Sequence, residues 1–88
     1  MKDPMRNFEK AMELVRQERI NQVAKWGAQQ HQEPIWFLIL VEEVGEIAKA
    51  ILHTIFGGTH AGETKIELIQ VAAVAVQWLE SIYVEEEE

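Results

Sequence analysis

Cysteine is absent from the 88-residue chain, so neither a disulfide nor a thiolate metal site is available to it. That usage fits a reducing compartment. Basic residues are scarce, 8 against 15 acidic ones, for a net charge of -7. A surface of that sign cannot release the counterions of a polyanion, which argues against a nucleic acid polymer as a direct partner. Long apolar runs are missing too. The longest, Pro34 to Val41, falls far short of the roughly 20 residues that cross a bilayer. The N-terminal stretch MKDPMRNFEK lacks the apolar core of a signal peptide. The expectation is a soluble, cytoplasmic protein with no membrane partner. Strand-like alternation, repeats and linkers are also absent.

What remains is a globular composition, 48% hydrophobic and 26% charged. It reads as one domain over residues 1–84 with an acidic, frayed tail at 85–88. A domain of this size buries only about 60–65% of its unfolded surface and is marginal alone. Without disulfides, the supports left to it are oligomerisation and a bound ion.

Three helical segments are predicted. Asp3-Pro4 reads as a start signal, Asp as N-cap and Pro at the first helical position, opening a helix that Gly27 stops after Trp26. A Gln-rich loop follows. Pro34 opens a second helix that runs to Phe56 and ends at Gly57-Gly58. The third runs from about Ala61 or Thr64 to Val84. Each is roughly 30 Å long, and short loops make neighbours antiparallel. The predicted fold is therefore all-α, an antiparallel bundle of three long helices. PIWFLILV and VAAVAV leave the second and third helices without a clear wet face. That surplus predicts a homodimer with a four-helix core, or a dimer-of-dimers tetramer using the same surface.

The stretch ILVEEVGEIAKAIL sets three carboxylates in an apolar helix. Glu42, Glu43 and Glu46 fall within an arc of about 100°, with Lys49 on the same side. A solvated face is the plain reading. Yet three acids on one arc repel each other with only Lys49 to compensate, and Gly45 among them costs roughly 1 kcal/mol relative to Ala. A glycine there suits the close approach of a ligand, another backbone or a crossing helix. On the third helix Glu63, Glu67, Gln70 and Gln77 share an arc of about 80°. If the two helices form a hairpin, these arcs face each other as oxygen ligands without His or Cys, a set that suits Mg²⁺ or Mn²⁺. Against this, TKIE fits a capping box that would make Glu67 structural. A di-iron bundle needs Glu-x-x-His, and none of His31, His53 and His60 has that Glu.

EEVGE followed some twenty residues later by ELIQ resembles the EExxE…ExxD signature of the all-α nucleoside triphosphate pyrophosphohydrolases, the superfamily of MazG proteins, dimeric dUTPases and dCTP pyrophosphatases. The resemblance spans ERINQVAKWG to VQWLE. It implies cleavage of NTPs or dNTPs between the α and β phosphates, in house-cleaning of nucleotide pools, with Mg²⁺ as cofactor. It further implies Glu43, Glu46 and Glu67 as metal ligands, Glu42 as a ligand or as the base that orients water, and Gln70 where the family carries its last Asp. An acidic protein can take an anionic substrate in this way because the bound cation neutralises phosphate charge.

Substrate candidates lie mostly on the first helix. Phe8, Met12, Val15, Arg19, Gln22, Val23 and Trp26 share one face, with Arg19 and Gln22 as its polar members. These are either satisfied core pairs or, respectively, a phosphate ligand and a base-edge reader. Trp26 and Trp36 bracket the Gln-rich loop. Trp26 is the expected stacking surface for a base, while Trp36 and Trp78 are expected to pack in the core or an interface. Lys25 and Lys49 complete the cationic set, and the resemblance adds His31 as a loop contact to substrate. Two other functions stay open: a catalytically weak nucleotide- or metal-binding regulator, and a helical dimerisation module without ligand.

Overall fold

The structure is a computed structural model and describes residues 3–87. It is all-helical: α1 spans Phe8–Trp26, α2 Glu33–Phe56 and α3 Thr64–Glu87. The C-terminal stops fall where glycine directs. Gly27 and Gly57 adopt positive φ and return their amides to the Val23 and His53 carbonyls, each at 2.8 Å. Pro34 sits in the first turn of α2, where its missing N–H costs nothing.

Two boundaries differ from expectation. Asp3-Pro4 does not open α1. The Asp3 carboxylate accepts the Met5 amide at 2.9 Å, and the Asp3 and Met5 carbonyls accept the amides of Arg6 and Phe8. These i→i+3 bonds hold residues 4–7 in turns, and the α-helix begins only at Phe8. At the other end, Glu85–Glu87 continue α3 rather than fray from it; Glu88 lies outside the described residues.

α3 is the central helix. It packs against both α1 and α2, whereas no Cα of α1 comes within 8 Å of one in α2. α1 and α3 run in the same direction: Ala11 and Val15 line a groove with Leu68 and Ala72, and Arg19 meets Glu80 further along both. α3 is long and apolar enough, by length and composition, to cross a membrane, a length that short apolar runs in the sequence do not reveal. Its place between α1 and α2 covers only part of it: Ala73, Val74, Gln77 and Ser81 are buried, whereas Ile66, Leu68 and Leu79 stay more than half exposed.

The core is small. Val15, Trp36, Ala50, Ala73 and Val74 are its buried apolar residues. Ala50 and Ala73 have no side chain beyond Cβ, which lets helix backbones approach closely. Trp36 is enclosed in the core as expected; Trp78 is half-buried. The apolar stripe of α1 is only partly covered. Val15 and Gln22 are buried, but Phe8, Met12, Val23 and Trp26 stay exposed because α1 has one neighbouring helix, not two. α2, the other flank, exposes Phe37, Leu38, Ile55 and Phe56, each by more than half.

The α2–α3 loop is wired to the end of α2. His60 donates its amide to His53 Nδ1 at 3.1 Å, and Gly62 donates to Thr54 Oγ1 at 3.0 Å. Gly58 lies so close to the His53 ring that a Cβ there would overlap it. His60 Nδ1 meets Glu63 Oε2 at 2.9 Å. This loop delivers the chain into α3 one residue ahead of a capping box. Thr64 is already helical, and the Glu63 carbonyl takes the Glu67 amide at 3.0 Å. Thr64 is thus not the cap that TKIE predicts, and Glu67 is left without that structural duty.

Candidate functional site: an acidic arc beside a polar cavity

Glu43 sits near the middle of α2, half-buried and turned toward α3. Its carboxyl is held above the ordinary value of 4.5, first by burial, then by the negative charges of Glu67, Glu42, Glu46 and Glu18. All three helices therefore bring carboxylates to one place. Glu46 and Glu67 are half-buried and Glu42 is exposed. Glu18, on α1, has no counterpart in the motif and is invisible to a helix wheel, because only the tertiary fold carries α1 alongside. Among the described residues none of these five acids takes an ion pair or a side-chain hydrogen bond. Nor do any three described His, Cys, Asp or Glu side chains converge closely enough to hold a metal as they stand. The donor set suits a hard cation; Glu43, Glu46 and Glu67 are the residues that would have to draw together around it.

Gly45 has no close neighbour. A Cβ built there meets no heavy atom of another element within 4 Å, so among the described residues the helix crossing that is one alternative for this glycine is not made.

Next to the acids is a cavity of about 230 Å³ where the three helices meet, lined by Gln22, Trp26, Gln29, Ile39, Glu43, Gln70, Val74 and Gln77. A second hollow, of about 260 Å³, shares Gln22, Trp26 and Gln70 with it and adds Glu18, Asn21 and Lys25. Of the sequence-derived candidates, Gln22, Lys25, Trp26, Glu43 and Gln70 are brought together here. Gln70 lies on the wall common to both hollows. Gln29, Ile39, Val74 and Gln77 were not singled out as site residues; only the position of Gln77 on the polar arc of α3 pointed to it.

Other candidates lie apart. Arg19 is already engaged: Nε and Nη2 bond the two carboxylate oxygens of Glu80 at 2.6 and 2.9 Å, and Nη1 bonds Gln22 Oε1 at 3.0 Å. That is the satisfied-pair alternative, in a two-pronged arrangement that guanidinium and carboxylate favour. His31 sets its ring edge against Trp36, centroids 4.8 Å apart. Lys49 is exposed and unpaired among the described residues. Lys25 places its ammonium 4.7 Å from the centroid of the Trp26 ring, which covers one face of the indole.

No protein-family model, characterised protein or solved structure matches the chain.

Proposed function

We propose that the chain is a Mg²⁺-dependent nucleoside triphosphate pyrophosphohydrolase, cytoplasmic and homo-oligomeric, that cleaves (d)NTPs to (d)NMPs and pyrophosphate. One observation carries this reading: Glu43 is half-buried and feels the negative charge of carboxylates on all three helices, none of which forms an ion pair among the described residues. A fold that leaves such repulsion in place gains from a ligand that removes it. The EEVGE…ELIQ resemblance supplies the reaction, and the adjoining cavity supplies room for a base.

Glu43, Glu46 and Glu67 would hold Mg²⁺, which when bound neutralises phosphate charge and lowers the pKa of water. The remaining roles belong to side chains in view. Glu42, exposed beside the arc, accepts the proton of the attacking water as the new O–P bond forms and the bridging O–P bond breaks. Lys49, on the same side of α2, meets the departing phosphate charge. Trp26 offers the free face of its indole to the base, and Gln22, Gln70 and Gln77 present amides to the base edge. Oligomerisation covers the apolar residues exposed on α2, as a homodimer or a dimer of dimers.

A second reading, a nucleotide- or metal-binding regulator with weak turnover, is favoured by Gln70, which brings a neutral amide where the resembled motif has a charged ligand. One assay separates the two. A panel of NTPs and dNTPs with Mg²⁺ is expected to yield pyrophosphate from at least one member. Binding without pyrophosphate release supports the regulator, and neither binding nor release contradicts both.

A further inference from the structure

Arg19 lies on α1, and its charge partner Glu80 lies 61 residues away on α3. Glu80 takes two guanidinium bonds, and a third guanidinium N–H goes to Gln22 Oε1 at 3.0 Å. Arginine only donates, so the Gln22 group facing it must be the carbonyl. The amide of Gln22 therefore has a fixed direction, with Oε1 on Arg19 and the N–H₂ pointing elsewhere. Gln22 is 95% buried by its 5% exposure, and it lines the cavity at the helix junction. Its Nε2 makes no hydrogen bond among the described residues, yet it is not one of the polar atoms sealed inside protein without a partner. The N–H₂ is therefore accessible, and Gln22 lines both hollows at the helix junction.

Gln77 repeats this on the opposite wall. It is 8% exposed and lines the same cavity, and its amide likewise has no side-chain partner among the described residues. Unlike Gln22 it has no arginine to orient it, so it can offer either end to a ligand. Of the amides that line the cavity, that of Gln22 is fixed as a donor, those of Gln77, Gln29 and Gln70 have no arginine to orient them, and the flat indole of Trp26 lies at its side.

We propose that the Glu80–Arg19–Gln22 chain is a positioning device that presents the Gln22 N–H₂ to the cavity, which selects a planar heterocycle carrying a carbonyl or ring-nitrogen acceptor on the edge facing α1. This rests on the nucleotide reading of the cavity, but it concerns only the ring and needs no metal. Arg19 is a positioning residue in it, with no phosphate contact. A ring that presents a donor at that edge meets N–H against N–H and leaves a buried amide unpaired, a loss of about tenfold or more in affinity.

The test is a titration of the full chain with the free nucleosides uridine, cytidine, adenosine and guanosine, without metal. It is followed by NMR at the Trp26 indole and the Gln22 and Gln77 side-chain amides. The expected result is unequal affinities. In Gln22→Glu, which keeps the shape and pairs with Arg19 but replaces the N–H₂ by oxygen, the preferred nucleoside weakens by about tenfold or more. In Glu80→Ala, with retention of the fold checked by circular dichroism, the guanidinium loses the carboxylate that holds it and the Gln22 amide is free to turn. The ratio between best and worst nucleoside then narrows while Trp26 still responds. Unchanged ratios in both variants, or no response of Trp26 and the amides to any nucleoside, overturn the proposal. The two readings fail separately. Gln22-dependent nucleoside binding without pyrophosphate release sustains this inference and removes the hydrolase. Pyrophosphate release with base preference unchanged in Gln22→Glu does the reverse.

Discussion

Arg19 and Glu43 are both charged side chains that face α3, and the fold treats them oppositely. Arg19 finds a carboxylate in bidentate geometry and an amide besides. Glu43 finds burial and four further negative charges. A charge that is paired inside the chain does a structural task. One that is surrounded by its own sign lowers the stability of the empty fold, and it persists where a ligand of opposite charge completes it. In a domain with so small a core this contrast separates the scaffold from the site, though Arg19 on α1 and Glu43 on α2 both face α3.

The largest expected effect tests the unpaired side. Glu43→Gln and Glu46→Gln should each lower pyrophosphate release by about a hundredfold or more, near 2.7 kcal/mol in the barrier, while helical content is retained. In Glu43→Gln the melting temperature of the metal-free protein should hold or rise. The sign follows from the raised carboxyl. Below 4.5 the group is protonated both folded and unfolded and costs nothing. As pH climbs past 4.5 the unfolded chain ionises first, and the folded state is penalised increasingly until pH passes the raised value. The stability gap between Glu43→Gln and the parent should therefore be small at acid pH and open toward neutrality. A gap that closes as pH rises would place Glu43 in a compensated environment. Near-parental turnover would move the site elsewhere.

The paired side should respond in the opposite sense. Arg19→Met removes the charge-assisted bonds to Glu80 and leaves the Gln22 carbonyl without its donor. It should cost about 1–3 kcal/mol in chemical denaturation and leave the Mg²⁺ concentration for half-maximal activity unchanged. If that Mg²⁺ midpoint moves and stability does not, the contrast between the two clusters is drawn the wrong way round.

The smallest effect concerns Gly45, which shares α2 with the acids but has open space where its side chain would be. Gly45→Ala should stabilise the helix by about 1 kcal/mol. Sedimentation equilibrium should show the same molecular mass as the parent. A lower mass caused by one methyl group would instead mean that a second copy seats against this glycine.

How much of this was legible in the sequence depends on how local each feature is. The helices and their glycine stops were, because a stop needs only the neighbouring turn. The start of α1 was not, because Asp-Pro serves a run of turns as well as it serves a cap. The arcs of α2 and α3 were readable from helical spacing, but Glu67 looked like a capping residue until the His53-centred loop moved the start of α3. Arg19 was recognisable as a polar residue on an apolar stripe; its partner, 61 residues on, was not. Gln29, Gln77 and Glu18 were missed as site residues for the same reason. Their roles come from three helices meeting, and periodicity within one helix does not say which helix lies beside it.

The central claim is that the acidic arc is a cation site, and the most direct measurement is the melting temperature of the parent chain and Glu43→Gln with and without Mg²⁺ near neutral pH. At a hundredfold excess over its dissociation constant a ligand adds about 2.7 kcal/mol, which in a domain of this size raises the midpoint by roughly 10–20 °C. The parent should show that rise and Glu43→Gln should lose most of it. A midpoint that Mg²⁺ leaves unmoved in the parent, or moves equally in both chains, contradicts a cation site at Glu43.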